Sequence, residues 1–310
     1  MKFVGLRKFT RKRKRNSDSC EWEIYKLLID RMPTEINDYE DYNKASESYD
    51  KSGRTPICIE RIINRLPMNC SILDAGCGTG NYILPLIRSR KITSYTAIEV
   101  NEGMLNVAKR KSNSISPEIN VRIQKGNLLT TLDFDDNTFD AVIINQVLHH
   151  LTDVHKPTRK EQIENVQHVF NECRRVLKDG GVLCINTSSH AQNRALWYVS
   201  LLLPGDKVSK VLNRFPDISE MKEMLHYAGF KNVEAEVDTE PMLGESYHDY
   251  EKAFEASYRN AESTFALVTS EELEASLIRL KEFLKDRDSY DKKVRSDRQR
   301  EGCSTELFAT

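Results

Sequence analysis

Hydrophobic and polar positions change period along the chain. Ile59, Ile62, Ile63 and Leu66 recur at the i, i+3, i+4, i+7 spacing of an amphipathic helix. After Pro67 the pattern becomes short apolar runs alternating with helical periods. SILDAG (71–76), SYTAIEV (94–100), NVRIQKGN (120–127), FDAVIINQV (139–147) and GVLCINTS (181–188) have strand length. Between them NYILPLIRSR, NEGMLNVAKRK and residues 163–177 read as helices. Strand–helix alternation predicts a parallel sheet with right-handed crossovers, covered on both faces. FPDISEMKEMLHYAGF follows as a helix with Met221, Met224, Leu225 and Ala228 inward and Gly229 at its C-terminal stop. KNVEAEVDT reads as a sixth strand, residues 242–290 as helical, and CSTELFAT as a closing strand. Within the helical stretch Thr269 and Glu272 form a capping-box pattern ahead of a stripe of Leu273, Leu277, Leu280 and Leu284. A further helix is expected from near Cys20, with Trp22, Ile24, Leu27 and Leu28 on one side.

In open parallel sheets a ligand sits at the carboxyl ends of the strands, near the point where strand order reverses. Asp74, Glu99, Asn127 and Asn145 all fall at such strand ends. The first strand runs straight into a loop with Gly76, Gly78 and Gly80. A dinucleotide fingerprint needs its third glycine one residue later, where this chain has Asn81, so a pyrophosphate reader fits poorly.

The combination is more specific than the loop. LDAGCGTGN, Glu99 at the end of AIEV, KGN at 125–127, FDAVIINQVLHHL at 139–151 and RRVLKDGGVLCI at 174–185 together resemble the class I S-adenosylmethionine-dependent methyltransferases. The likeness covers residues 45–237 well and the later helical region in outline. It implies an α/β, Rossmann-like seven-stranded mostly parallel sheet, with helices on both faces and a helical lid inserted before the last strand. The expected divisions are a disordered basic tail over 1–19, the cofactor-binding core with N-terminal helices over 20–241, the lid over 242–290, and a linker and closing strand over 291–310.

The resemblance also implies S-adenosyl-L-methionine as cofactor and assigns residues to it. Gly76, Gly78 and Gly80 would let the backbone approach its amino-acid end, which no Cβ could tolerate. Asp74 would orient the ammonium, and Glu99 would accept from both ribose hydroxyls. Asn127 stands where the family usually has Asp, so its carbonyl would accept from the adenine amino group without a charge. Asn101 and Met104 would neighbour the adenine, and Asn145 would face the methionine part. Tyr49 and Arg54 match a place where such enzymes close over the cofactor.

Charge and composition narrow the partners. The 310 residues carry a formal net charge of −1, so the body exerts no global pull on nucleic acid or anionic membrane. No apolar run approaches the roughly 20 residues that cross a bilayer. The seven cysteines are scattered, without a CxxC pair, as expected for reduced thiols in the cytoplasm or nucleus. The exception is the N-terminus, with eight Lys and Arg before residue 16 and no acid until Asp18. It reads as a solvated tail, a nuclear address at Arg11–Arg15, or an anion contact.

Methyl transfer from a sulfonium needs positioning above all, and a base only where the accepting atom carries a proton. His149 and His150, with Gln146, follow the fourth strand and are the candidates; no metal is called for. His190 and Trp197 begin the region after the fifth strand. NQVLHH has neither the prolines nor the aromatic of the Asp/Asn-Pro-Pro-aromatic motif that nucleobase amino-methylases share, which argues against that class. A small-molecule acceptor under the helical insert is the favoured expectation, with Tyr247, Tyr250, Phe254, Tyr258 and Phe265 either lining its pocket or packing the insert. A protein or RNA acceptor docked by the basic tail, and a cofactor-binding protein without transfer activity, remain the alternatives.

Overall fold

The computed structural model describes residues 46, 49–50, 56–115, 118–152, 158–260 and 262–310. The basic tail, the helix expected from Cys20 and Arg54 lie outside the described residues.

The apolar runs become a seven-stranded sheet. In chain order these strands are β1 (Cys70–Ala75), β2 (Ile92–Glu99), β3 (Asn120–Lys125), β4 (Phe139–Asn145), β5 (Leu177–Thr187), β6 (Val233–Asp238) and β7 (Ser304–Ala309). Their spatial order is β3-β2-β1-β4-β5-β7-β6. β1 to β5 pair in parallel, and β7 enters antiparallel between β5 and β6. The first helices are α1 (Ile59–Arg65), α2 (Ile83–Arg88), α3 (Glu102–Ser112) and α4 (Arg159–Val176).

Side chains alternate across each strand, so one continuous apolar run feeds two cores. In β4, Val142 and Ile144 join Leu73, Val166, Phe170 and Leu225 on one face. Ala141 and Ile143 join Ile72, Tyr95, Ile62 and Leu86 on the other. The outer strands β3 and β6 are only partly buried and carry Lys, Arg and Glu on their open positions, a common protection for an unpaired sheet edge. Opposite charges tie α1 to the β6–β7 side: Arg61 to Glu306 at 2.7 Å, and Arg65 to Glu236 at 2.6 Å.

Between β5 and β6 lie α5 (His190–Ala195), α6 (Trp197–Leu202), α7 (Gly205–Asn213) and α8 (Ile218–Tyr227). Short 3-10 turns, α9 (Ala256–Asn260), α10 (Ser270–Phe283) and α11 (Arg287–Glu301) lead into β7. The capping box at Thr269 and Glu272 starts α10, and Leu277 and Leu280 of its stripe are buried. The helical stretch does not end at 290: α11 continues through the expected linker to Glu301, with Tyr290, Val294 and Arg298 on its buried side. This region has its own aromatic core. Trp197 meets Tyr198 and Tyr250 edge-on at 5.4 and 5.3 Å, and Tyr250 meets Tyr290 at 4.9 Å. Its indole N–H donates to the Tyr247 carbonyl at 2.9 Å. Trp197 therefore builds the roof and lines neither of the cavities described below.

Candidate active site

The loop after β1 folds back under the end of β2. The N–H groups of Gly76 and Cys77 both donate to the Ile98 carbonyl, at 2.9 and 3.0 Å. Gly76 and Gly80 have positive φ, 84° and 77°, which L side chains rarely adopt. A Cβ on Gly76 would stand 2.7 Å from Val147, and one on Gly80 would stand 2.6 Å from Ile83 and 3.2 Å from Ala108. At Gly78 a Cβ would meet nothing within 4 Å, because that residue faces open space.

That open space is a cavity of about 390 Å³ at the carboxyl ends of the strands, where the order reverses between β1 and β4. Asp74, Gly76, Gly78, Glu99, Asn127, Asn145 and Tyr49 line it, so the tertiary fold brings together residues spread over much of the sequence. Gly80 does not line it; its task is the tight packing against Ile83 and Ala108.

Four of these polar groups differ in how they are held. Glu99 is clamped by backbone: Gly78 N–H donates to Oε2 at 2.8 Å and Asn101 N–H to Oε1 at 2.9 Å. Each carboxylate oxygen keeps acceptor capacity for a ligand. Asp74 is 1% exposed and accepts from the Tyr95 hydroxyl. Burial pushes its carboxyl up to about 7; the Tyr95 hydrogen bond pulls the other way, and the nearby Glu99 charge adds to the rise. Asn145 is different again. Both atoms of its amide are buried and have no hydrogen-bond partner among the described residues, a costly state for a group on a cavity wall. At Asn127 the side-chain oxygen already accepts from Leu129 N–H at 2.9 Å, so a ligand would share it.

Tyr49 reaches the cavity because its neighbour is latched to the glycine loop. Asp50 accepts from the Thr79 hydroxyl at 2.7 Å and pairs with Lys111 at 2.6 Å. Lys111 also donates to the Asn81 side chain at 2.6 Å.

A second, smaller cavity of about 100 Å³ adjoins the first, and Tyr49, Gln146, His150 and Met242 line both. His150 therefore stands at the junction, whereas His149 lines the second cavity alone and stacks on Phe215 at 4.8 Å. Gln146 holds its junction position with a left-handed backbone, φ 53°, and is secured to Asn186 by both its N–H (3.0 Å) and its side chain (2.6 Å). Strain of this kind in a non-glycine residue is sustained only where surrounding structure enforces it. Of the roof aromatics, Tyr247 faces the second cavity and Tyr250 packs against Trp197. His190 lines neither cavity and bonds the Phe215 carbonyl at 2.8 Å.

Two buried arginines of the second cavity, Arg214 and Arg298, escape a reading of the sequence. Arg298 sits in the charged run KKVRSDRQR, where no local signal separates an inward arginine from solvated ones. The only group of potential metal ligands among the described residues is Cys58, Asp238 and Glu306, none of which lines either cavity. Its atoms are already engaged with one another, with Arg61 and with Asn186.

The family model described as "Methyltransferase domain" matches residues 73–185, from β1 through most of β5. Among curated proteins, the demethylmenaquinone methyltransferase of Staphylococcus aureus (strain JH9) is 32% identical over 180 residues, covering 52% of this chain and 68% of that protein. Among solved structures, phosphoethanolamine N-methyltransferase 2 of Haemonchus contortus superposes with a TM-score of 0.52 at 15% identity, covering 88% of this chain and 59% of that one. At that identity the superposition speaks for the fold alone.

Proposed function

The chain belongs to the class I S-adenosylmethionine-dependent methyltransferases, and from that premise we propose that it methylates a small-molecule acceptor held in the second cavity. The observation that carries this reading is the junction: two contiguous cavities share Gln146 and His150 beneath a helical roof. The curated relative, named for a small-molecule substrate, points the same way.

The residues of the first cavity fit S-adenosyl-L-methionine. Asn145 offers a buried donor and acceptor that need partners, and Gly78 leaves room for close approach. Glu99 would hold the ribose hydroxyls with a carboxylate already oriented by two backbone N–H groups. Asp74 would face the ammonium, whose positive charge would favour the ionised carboxylate that burial disfavours. Asn145 would meet the amino-acid end, Asn127 the adenine side, and Tyr49 would close the cavity. When bound, the cofactor supplies a methyl group already activated by its sulfonium. The chain's own work is then positioning, which contributes about 7–11 kcal/mol when reacting atoms are held in line. Gln146 fixes the floor of the junction, and a ring nitrogen of His150 takes the proton of an acceptor atom that carries one. His149 supports that ring, 3.9 Å away centroid to centroid.

Calorimetric titration with S-adenosylhomocysteine tests the cofactor half, with saturable binding expected and no binding at high micromolar ligand overturning it. For the acceptor half, the protein is incubated with isotopically labelled methyl donor and a cell extract. Label in a small molecule is expected. Label confined to protein or RNA would overturn the small-molecule reading.

A further inference from the structure

The second cavity contains a charge that the fold leaves unmatched. Arg298, on α11, is 4% exposed and lines this cavity. One guanidinium nitrogen, Nη2, donates to the Gln192 carbonyl at 2.9 Å. The other two, Nε and Nη1, are buried and have no hydrogen-bond partner among the described residues; the neighbouring group on the same wall is the Cys303 thiol, a weak acceptor without a charge. The guanidinium lies 5.8 Å from the centre of the Tyr247 ring, which contributes a weak attraction and no acceptor. A guanidinium stays charged at any physiological pH, and burying one without a partner is strongly unfavourable. Such a cost persists where a ligand removes it.

The rest of the wall agrees in sign. Arg214, 1% exposed, lines the same cavity and donates through Nε to the His149 carbonyl at 3.1 Å. Among the described residues the acid on this wall is Glu262, which accepts from the Tyr198 hydroxyl at 3.2 Å. Among the described residues that line it, two guanidiniums thus stand with one carboxylate, and the edge of Arg298 formed by Nε and Nη1 presents the two-donor fork that suits an oxyanion.

We propose that Arg298 forms an anion subsite in the second cavity and that the methyl acceptor is a compact organic oxyanion, its carboxylate or phosphate group held by Nε and Nη1 of Arg298. The inference rests on the reading of this cavity as the acceptor site. It separates this chain from a purely apolar acceptor: a cavity of about 100 Å³ with buried arginines suits a small, charged molecule.

The test is calorimetric titration of the 310-residue chain with inorganic phosphate and, separately, acetate, each with and without S-adenosylhomocysteine. Wild type is expected to bind at least one of them saturably and Arg298→Gln at least tenfold more weakly, with S-adenosylhomocysteine affinity unchanged within twofold. The basic tail is the same in both proteins, so the difference between them is the result. Absence of saturable binding to wild type, or equal binding by Arg298→Gln, overturns the subsite. If Arg298→Gln does not fold, Arg298→Lys decides, because it keeps the charge and loses the fork: weakened binding supports the subsite and unchanged binding overturns it. Oxyanion binding without any S-adenosylhomocysteine binding would count against the cofactor reading and leave the subsite standing. In the labelling experiment the methylated product should contain a carboxylate or phosphate group, identified by mass spectrometry, and label only in products that lack both overturns the proposal.

Discussion

The two cavities are built by opposite means. The first is a backbone construction: strand ends, a glycine loop whose N–H groups aim at one carbonyl and one carboxylate, and a single cap at Asn101 that opens α3. The second is a side-chain construction, drawn from the turn after β4, from α7, from the segments after β6 and from α11. Backbone geometry tolerates little variation, so it imposes glycines and acids at set spacings. Side-chain walls can be rebuilt one residue at a time. The proposed assignment of the cofactor to the first cavity and the acceptor to the second matches that division, and Gln146 and His150 line both cavities.

Substitutions on either side of this boundary should separate binding from transfer. The largest effect is expected from His150→Ala: turnover on an acceptor that loses a proton falls by about 10²–10⁴-fold while S-adenosylhomocysteine affinity holds, read by steady-state kinetics beside calorimetry. A fall in affinity of the same size would erase the distinction between the cavities. Next is Leu277→Ala in α10, expected to lower stability by about 2–4 kcal/mol in denaturant unfolding, since that side chain is 1% exposed in the roof. Glu99→Gln should weaken S-adenosylhomocysteine binding by about 1.5–3 kcal/mol, the usual worth of hydrogen bonds to a charged group, with the second cavity's oxyanion affinity unaltered.

The smallest effect is a pH dependence confined to the first cavity. Burial raises the Asp74 carboxyl from its ordinary 3.8 to about 7. Affinity for a cofactor carrying an ammonium should therefore be greatest above about pH 7 and fall as the carboxylate protonates, by up to about tenfold per pH unit. Stability of the ligand-free protein runs the other way. A raised folded-state value contributes stability that is present below 3.8 and lost as pH rises through about 7. Asp74→Asn should flatten both profiles, and a binding profile unchanged in that variant would remove Asp74 from cofactor recognition.

The sheet was legible because period and composition report burial directly. Apolar runs such as FDAVIIN have one stable place in an α/β chain, between two layers, and the acids and amides that end them must then share one rim. By the same local logic Thr269 and Glu272 announced the start of α10, yet nothing local announced that α11 would run on to Glu301. Arg298 shows the limit most clearly. Arg295 and Arg300, close by in the chain, are charged and exposed, and only the packing of α11 against α5, Tyr247 and Gln192 turns Arg298 inward. The amino-acid sequence by itself determined the strands, the glycine loop and the acid that ends β2, because these follow from short-range periodicity and backbone conformation. Only the tertiary structure decided which side chains wall the second cavity, because that depends on long-range packing between helices whose own sequences favour many arrangements equally.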